Sequence, residues 1–334
     1  MQSSVPSTGG LALMFPGQGA QHPSMCASLY GVEPEFTQVM EEGLAGLGPM
    51  GPRVRDAWLQ GAPDFDDVSI AQPLLYLVNY ALGRVVLSWG LPIRVLFGHS
   101  VGELVAATLA GVMSFQDGQV LMQDRVKSFQ DAGKGGMAAV ATTLDNVRPV
   151  LNQDVHLAAI NAPRQIMLAG TRAGLTEALA TLNDAGITGV MIAARQAFHS
   201  PLVSDAVART MSSWRAVGFQ APAMPLISAY TGSILDVEQA TDPNFWANQA
   251  AQPLDFHQAL TLALGLGPRC LLEVGPGDTL LALARRAPQI RNGSCLALSL
   301  MTSPGDGPAD GGGVERLRLI HDSVVAAMAG GESQ

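Results

Sequence analysis

The chain has 334 residues, 48% hydrophobic and only 14% charged, with a formal net charge of −9. That suits one large domain, or a large domain with an insert, and it supplies a sizeable core. An acidic chain without a basic stripe is not expected to bind nucleic acid, and no apolar run reads as long enough to cross a bilayer.

Residues 1–10 are polar, with no basic segment leading into an apolar stretch, so no secretory leader is expected. Leu11–Phe15 reads as a buried strand and Pro16-Gly17-Gln18-Gly19 as a turn. Amphipathic helical pieces run from Pro23 to Gln60, broken by Gly46, Gly48, Gly51 and Pro52. Gln72–Trp89 has apolar residues at helical spacing, from Leu74 and Leu75 through Val85 and Val86. Arg94–Phe97 is a strand, Gly102–Gly111 a helix, and Ser114 the N-cap of a helix through about Asp131.

The character then changes. Strands at Met137–Thr142, Val155–Ile160, Gln165–Ala169 and Gly189–Ala193 alternate with helices at Leu144–Asn152 and Ala173–Ala185. This β-α-β-β-α-β order predicts a ferredoxin-like unit. It opens after Gly133-Lys134-Gly135-Gly136, a flexible joint, and is placed at residues 135–196 as an insert. Residues 1–134 and 197–334 then form the large domain. In it follow a helix from Pro201, a strand near Leu226–Ser228, a helix within Asn244–Leu264, and a strand at Leu271–Val274. A helix at Asp278–Arg286, a strand at Cys295–Leu298 and a helix at Val314–Ala329 end the chain, with a mobile loop expected over Met301–Gly313. Strands alternating with helices predict an α/β fold with a mostly parallel sheet. Cys26, Cys270 and Cys295 show no metal-ligand spacing, so no metal is expected and free thiols suit a cytoplasmic protein.

The chemistry centres on Gly98-His99-Ser100-Val101-Gly102, a G-x-S-x-G turn between a strand and a helix. A serine there is exposed at the top of a sheet as a nucleophile; the alternative is a serine in any tight glycine turn. The Val101 N–H points where an oxyanion would form, and a second donor, the Gln18 N–H, suggests itself on the other strand-ending turn. Ser100 needs a base. His199, 99 residues later in Phe198-His199-Ser200-Pro201, is the strongest candidate. His99 adjoins Ser100, but neighbours on a tight turn point apart, and the other histidines lie in helices or strands without polar clusters. No acid partner for His199 is evident, and a backbone carbonyl could serve instead. Arg125 is either a surface residue paired with Asp124 or Asp131, or a bidentate clamp for a substrate carboxylate.

With these residues in hand, the chain resembles the malonyl-CoA:acyl carrier protein transacylase family, including the acyltransferase domains of polyketide synthases. The resemblance rests on Met14-Phe15-Pro16-Gly17-Gln18-Gly19-Ala20-Gln21, Gln72-Pro73-Leu74-Leu75, Gly98-His99-Ser100-Val101-Gly102-Glu103, Arg125, Asn161-Ala162-Pro163, Ala197-Phe198-His199-Ser200-Pro201-Leu202 and Glu273-Val274-Gly275-Pro276-Gly277. It implies an α/β-hydrolase-like large domain with a ferredoxin-like insert. It makes Ser100 the acylated nucleophile, His199 the base, Gln18 and Val101 the oxyanion hole, and Arg125 the grip on a malonyl carboxylate. Gln249, in Asn248-Gln249-Ala250-Ala251, is implied as the carbonyl that orients the histidine. An imidazole near ~6.5 could serve both half-reactions at neutral pH. No bound cofactor is implied; the phosphopantetheine arms of CoA and of the carrier are substrate.

Gln196-Ala197-Phe198-His199 is close to the pattern of malonyl-selecting relatives, Phe198 filling the space of an α-methyl. Gln72 is counted with the substrate-binding residues. Gln196 and Phe129 depart from the family pattern and leave room for an unusual malonyl derivative. The implied partners are malonyl-CoA and a separate acyl carrier protein, met in trans by a monomer in polyketide or fatty-acid synthesis, with Arg285, Arg286 and Arg291 as a local basic patch. Rival readings are a thioesterase or editing hydrolase and an inactive docking scaffold; within the transferase reading the transacylase subunit of a malonate decarboxylase is a further context.

Overall fold

The computed structural model describes residues 9–130, 135–303 and 312–329. The expected joint at Gly133-Lys134 and most of the expected 301–313 loop lie outside these residues. The chain begins with β1 (Leu11–Phe15), α1 (Pro34–Gly46), α2 (Gly51–Gln60) and α3 (Val68–Ser88). β2 (Ile93–Gly98), α4 (Val101–Leu109) and α5 (Phe115–Gln130) follow. Next come β3 (Gly136–Val140), α6 (Leu144–Val147), β4 (Val155–Ala162), β5 (Gln165–Gly170), α7 (Arg172–Asp184) and β6 (Gly189–Met191). The chain returns through α8 (Ser204–Ala216), the hairpin β7 (Ile227–Ser228) and β8 (Ser233–Ile234), α9 (Val237–Thr241), α10 (Pro243–Asn248), β9 (Leu254–Asp255) and α11 (Phe256–Gly265). It ends with β10 (Cys270–Glu273), α12 (Thr279–Ala284), α13 (Pro288–Arg291), β11 (Leu296–Ser299) and α14 (Gly313–Ala329).

The large unit is built on a parallel sheet in the order β11-β10-β1-β2. Covered on both faces, its strands are continuous apolar runs rather than alternating ones. Leu11, Leu13 and Phe15 enter a core with α1, α3 and α4, while Ala12 and Met14 enter another with Phe256 of α11 and Leu280 of α12. β1 and β2 pair with Phe15 opposite Gly98, so the turns after both strands emerge at one sheet edge.

The second sheet has the order β6-β3-β5-β4, antiparallel throughout, which is the ferredoxin-like arrangement. α7 closes its own small core through Leu175, Ala178 and Leu182. β9 adds a fifth strand, Leu254 opposite Ala159, so a segment of the large unit stitches the two together.

Some expectations shift. α3 starts at Val68, after the N-cap Asp67, whose carboxylate accepts from Ser69 N–H at 3.0 Å, rather than beside Pro73, which the helix accommodates in its second turn. α3 is also long and apolar enough by composition to cross a membrane, contrary to the expectation that no run was; 89% of its most apolar window is buried, as befits a core helix. The helix expected at 144–152 is one α-helical turn that tightens into a 3-10 turn at Arg148–Val150, where Pro149 intervenes. The 244–264 region breaks into α10, a 3-10 turn at Gln249–Ala251, β9 and α11, and that break presents Gln249 to the site.

Candidate active site

Ser100 sits between β2 and α4 with φ 55° and ψ −113°. The turn is tight enough that a Cβ on Gly102 would collide with the Phe15 carbonyl oxygen, and one on Gly98 with the backbone of Gly102. Small residues at both positions are therefore a packing requirement, and the serine absorbs the positive φ. His199 is also at positive φ, 61°. Each such conformation costs about 1–3 kcal/mol and persists only where the surroundings enforce it. For His199 the enforcing contacts include its N–H donating to the Ala250 carbonyl at 2.7 Å.

The two strained residues meet. Ser100 Oγ lies 3.0 Å from His199 Nε2, and His199 Nδ1 lies 3.2 Å from the Gln249 carbonyl oxygen. With Nδ1–H donating to that carbonyl, Nε2 is left as the acceptor for the serine proton. The expected triplet of Ser100, His199 and Gln249 is thus within hydrogen-bond reach. Burial first, then the Arg125 guanidinium and His99, push the imidazole down to about 3, against the upward pull of the Gln249 carbonyl. This corrects the expectation of an ordinary value near ~6.5; the free site holds a neutral base far into acid.

Val101 opens α4, so its N–H belongs to the first turn, which has no acceptor inside the helix. Gln18 lines the same cleft, of ≈ 580 Å³, as Gln72, His99, Ser100, Phe198 and His199. Gln72 Nε2 donates to Gln18 Oε1 at 2.9 Å, which ties the Gln18 turn to α3.

Arg125 is 4% exposed. It is not the surface residue of the alternative reading: Asp124 accepts from Ser213 instead, Asp131 lies outside the described residues, and Arg125 Nε has no hydrogen-bond partner among the described residues. Its guanidinium carbon is 5.4 Å from the centre of the Phe129 ring. Arg125 is not itself among the cleft-lining residues, though its charge is felt at His199, which is; desolvation lowers its pKa, and a buried cation with an unsatisfied N–H favours any anion that reaches it. Phe129 meets Phe198 edge-on at 4.9 Å, and Gln196 Nε2 approaches the Phe129 carbonyl at 3.4 Å. Phe129 therefore backs the wall that Phe198 presents to the cleft. Arg285, Arg286 and Arg291 are exposed on and beside α12 and α13, outside the cleft. Arg285 pairs with Asp278 at 2.9 Å. α12 itself lends Thr279, Leu280 and Leu283 to the cleft wall.

Three participants escaped sequence reasoning. His99 is not the base, as expected, but it lines the cleft, its Nε2 2.9 Å from Asn161 Oδ1 of β4. The Tyr230 hydroxyl stands 3.4 Å from His199 Nδ1. Glu103, 0% exposed, sits behind Gln249. Glu103 and Asn161 lay inside segments already singled out; Tyr230 carried no signal beyond its position after a buried strand.

The family model for the acyl transferase domain matches residues 13–300. The chain is 33% identical over 288 residues to a phenolphthiocerol/phthiocerol polyketide synthase protein of Mycobacterium tuberculosis, covering 86% of this chain but 19% of that protein. The chain thus spans about a fifth of that relative's length. Among solved structures it is similar to the acyltransferase domain from the second module of the salinomycin polyketide synthase, with a TM-score of 0.85 and 28% identity over 97% of this chain and 77% of that one. FabD from Acinetobacter baumannii gives a TM-score of 0.84 at 26% identity, over 96% and 99% of the two chains.

Proposed function

Since the chain belongs to the acyl transferase domain family, we propose that it moves a malonyl-type acyl group from CoA to the phosphopantetheine thiol of an acyl carrier protein, through an ester on Ser100. Ser100 Oγ attacks the thioester carbonyl while His199 Nε2 takes its proton. The negative charge on the former carbonyl oxygen is held by the Gln18 and Val101 N–H groups. As the carbonyl reforms, the C–S bond breaks and the imidazolium returns the proton to the departing CoA sulfur. The carrier thiol then gives its proton to His199, attacks the ester carbonyl, and Ser100 Oγ leaves with that proton. A thiol leaves readily, so the base needs a hydrogen-bonded orienter, not a charged one; the Gln249 carbonyl is that group.

One observation supports the substrate class above others. Arg125 is a buried guanidinium whose Nε–H has no partner among the described residues, and its charge is felt at His199. A neutral acyl group leaves that cation uncompensated, and a carboxylate completes it. Phe198 at the cleft wall disfavours a substituent on the α-carbon, a discrimination worth about 1–3 kcal/mol for one methyl. A thioesterase has no use for the cation.

Intact-protein mass spectrometry after mixing with malonyl-CoA tests the reading. The protein gains one malonyl mass, lost in Ser100→Ala, and a phosphopantetheinylated carrier removes it faster than water does. An unlabelled wild-type protein, or an adduct that water removes at the same rate, overturns the transferase reading.

A further inference from the structure

Glu103 is a fully buried carboxyl that the chemistry above does not use. It sits in the first turn of α4, the helix whose N-cap is Ser100. Each of its oxygens holds a different segment. Oε1 accepts from Gln249 Nε2 at 2.9 Å, and Oε2 accepts from the Ala229 N–H at 2.8 Å. Those two segments are the ones that flank the Nδ1 edge of His199. Gln249 offers its carbonyl at 3.2 Å, and Tyr230, next after Ala229, offers its hydroxyl at 3.4 Å. One short helix thus carries the nucleophile at its cap and, three residues on, the group that anchors both contacts of the base.

We propose that Glu103 is a positioning residue for acyl transfer, fixing the His199 imidazole against Ser100 through the Gln249 side chain and the Ala229–Tyr230 backbone. This rests on the reading of Ser100 and His199 as nucleophile and base. It also answers the missing acid. The carboxyl is present, one residue removed from the histidine, and it acts on geometry without touching the ring. Its replacement by an amide keeps one accepting oxygen and turns an NH2 group to the other donor; the Ala229 N–H is fixed in the backbone and keeps the oxygen, so the Gln249 anchor is the one that fails.

The test measures nucleophile reactivity without reference to any acyl substrate. The rate constant for labelling of Ser100 by an alkyl fluorophosphonate is measured for wild type, Glu103→Gln, Gln249→Leu and the double variant, well below each melting temperature. Gln249→Leu keeps the backbone carbonyl and removes the amide that Glu103 holds. Glu103→Gln is expected to lower the maximal labelling rate constant by ~10-fold, part of the ~10²–10⁴ that a positioned base supplies, with the probe's half-saturating concentration unchanged. The double variant is expected to match Glu103→Gln, because the two residues act in series. Merely structural damage lowers the fraction labelled and leaves the rate constant alone, which overturns the proposal, as does a double variant whose losses multiply. If wild type labels at Ser100 and Glu103→Gln labels equally fast, only this proposal fails. If wild type does not label there, the nucleophile reading fails with it.

Discussion

His199 and Arg125 are coupled through charge. The guanidinium is one reason the imidazole pKa falls to about 3, after burial itself. The free protein's kcat/KM profile should therefore show no acid limb near the ordinary histidine value, since kcat/KM reports the free site. Arg125→Ala removes a like charge and admits water, and both effects raise the imidazole pKa, so the acid limb should move to higher pH. The same variant should lose malonyl transfer and gain transfer of acetyl or other neutral acyl groups. Unchanged malonyl-CoA turnover would sink the clamp. Glu103 is shifted the other way, up to about 8 by burial. An unfolded glutamate ionises near ~4.3, so above that the unfolded chain sheds a proton that the native carboxyl keeps until about pH 8. Its contribution to stability thus falls as pH rises through that window. The thermal midpoint of Glu103→Gln should depend less on pH there than that of wild type, and identical slopes would contradict this.

At the level of elements, the cleft is bounded by helix ends held from outside. α12 has six residues and little intrinsic persistence. Its first turn is held by Glu273, at the end of β10, whose carboxyl accepts from Leu280 N–H at 3.1 Å, Leu281 N–H at 2.6 Å and Thr279 Oγ1 at 3.2 Å. Glu273→Ala strands two buried amides, a loss of about 1–3 kcal/mol for each unsatisfied group. Urea unfolding should show it, and a midpoint equal to wild type would mean that α12 is held by packing alone. α3 and α5 work as rigid rails for Gln72 and Arg125. Both could be placed on helices from apolar spacing, whereas the start of α3 could not. Pro73 favours a first-turn position, but the Asp67 cap and the buried run from Val68 outweighed it.

On the scale of the whole molecule, the site is a seam between two sheets. The parallel sheet supplies Ser100 and the Gln18 turn from adjacent strand ends. The ferredoxin-like sheet lends Asn161 and Met167 to the opposite wall, and β9 pins the two together. We propose that a carrier protein docks over this seam beside α12, where Arg286 and Arg291 lie exposed. On a chain of net charge −9, such a local patch is what an acidic carrier needs. Arg286→Glu with Arg291→Glu should raise the apparent KM for the carrier several-fold, more at low salt, with acylation by malonyl-CoA intact. Equal losses in both half-reactions would refute the docking assignment.

Legible in the chain alone were the features carried by local chemistry: the strand, glycine turn and helix around Ser100, the β-α-β-β-α-β order of the insert, and the identity of a histidine far along the chain. The family resemblance added Gln249. Hidden were the features that depend on which segments meet. His99 was rightly set aside as the base, since its ring is held by Asn161 while Ser100 meets His199, but its place in the cleft wall depends on which strand faces the turn. Arg125 carried two open readings until its burial decided between them. Glu103 was invisible as a partner because its ligands lie more than 120 residues away in two separate segments. Periodicity and turn chemistry act over a few residues, so they set the elements; desolvation and hydrogen-bond partners are properties of the assembled core, so only the tertiary structure could set the charge state and orientation of the groups in the site.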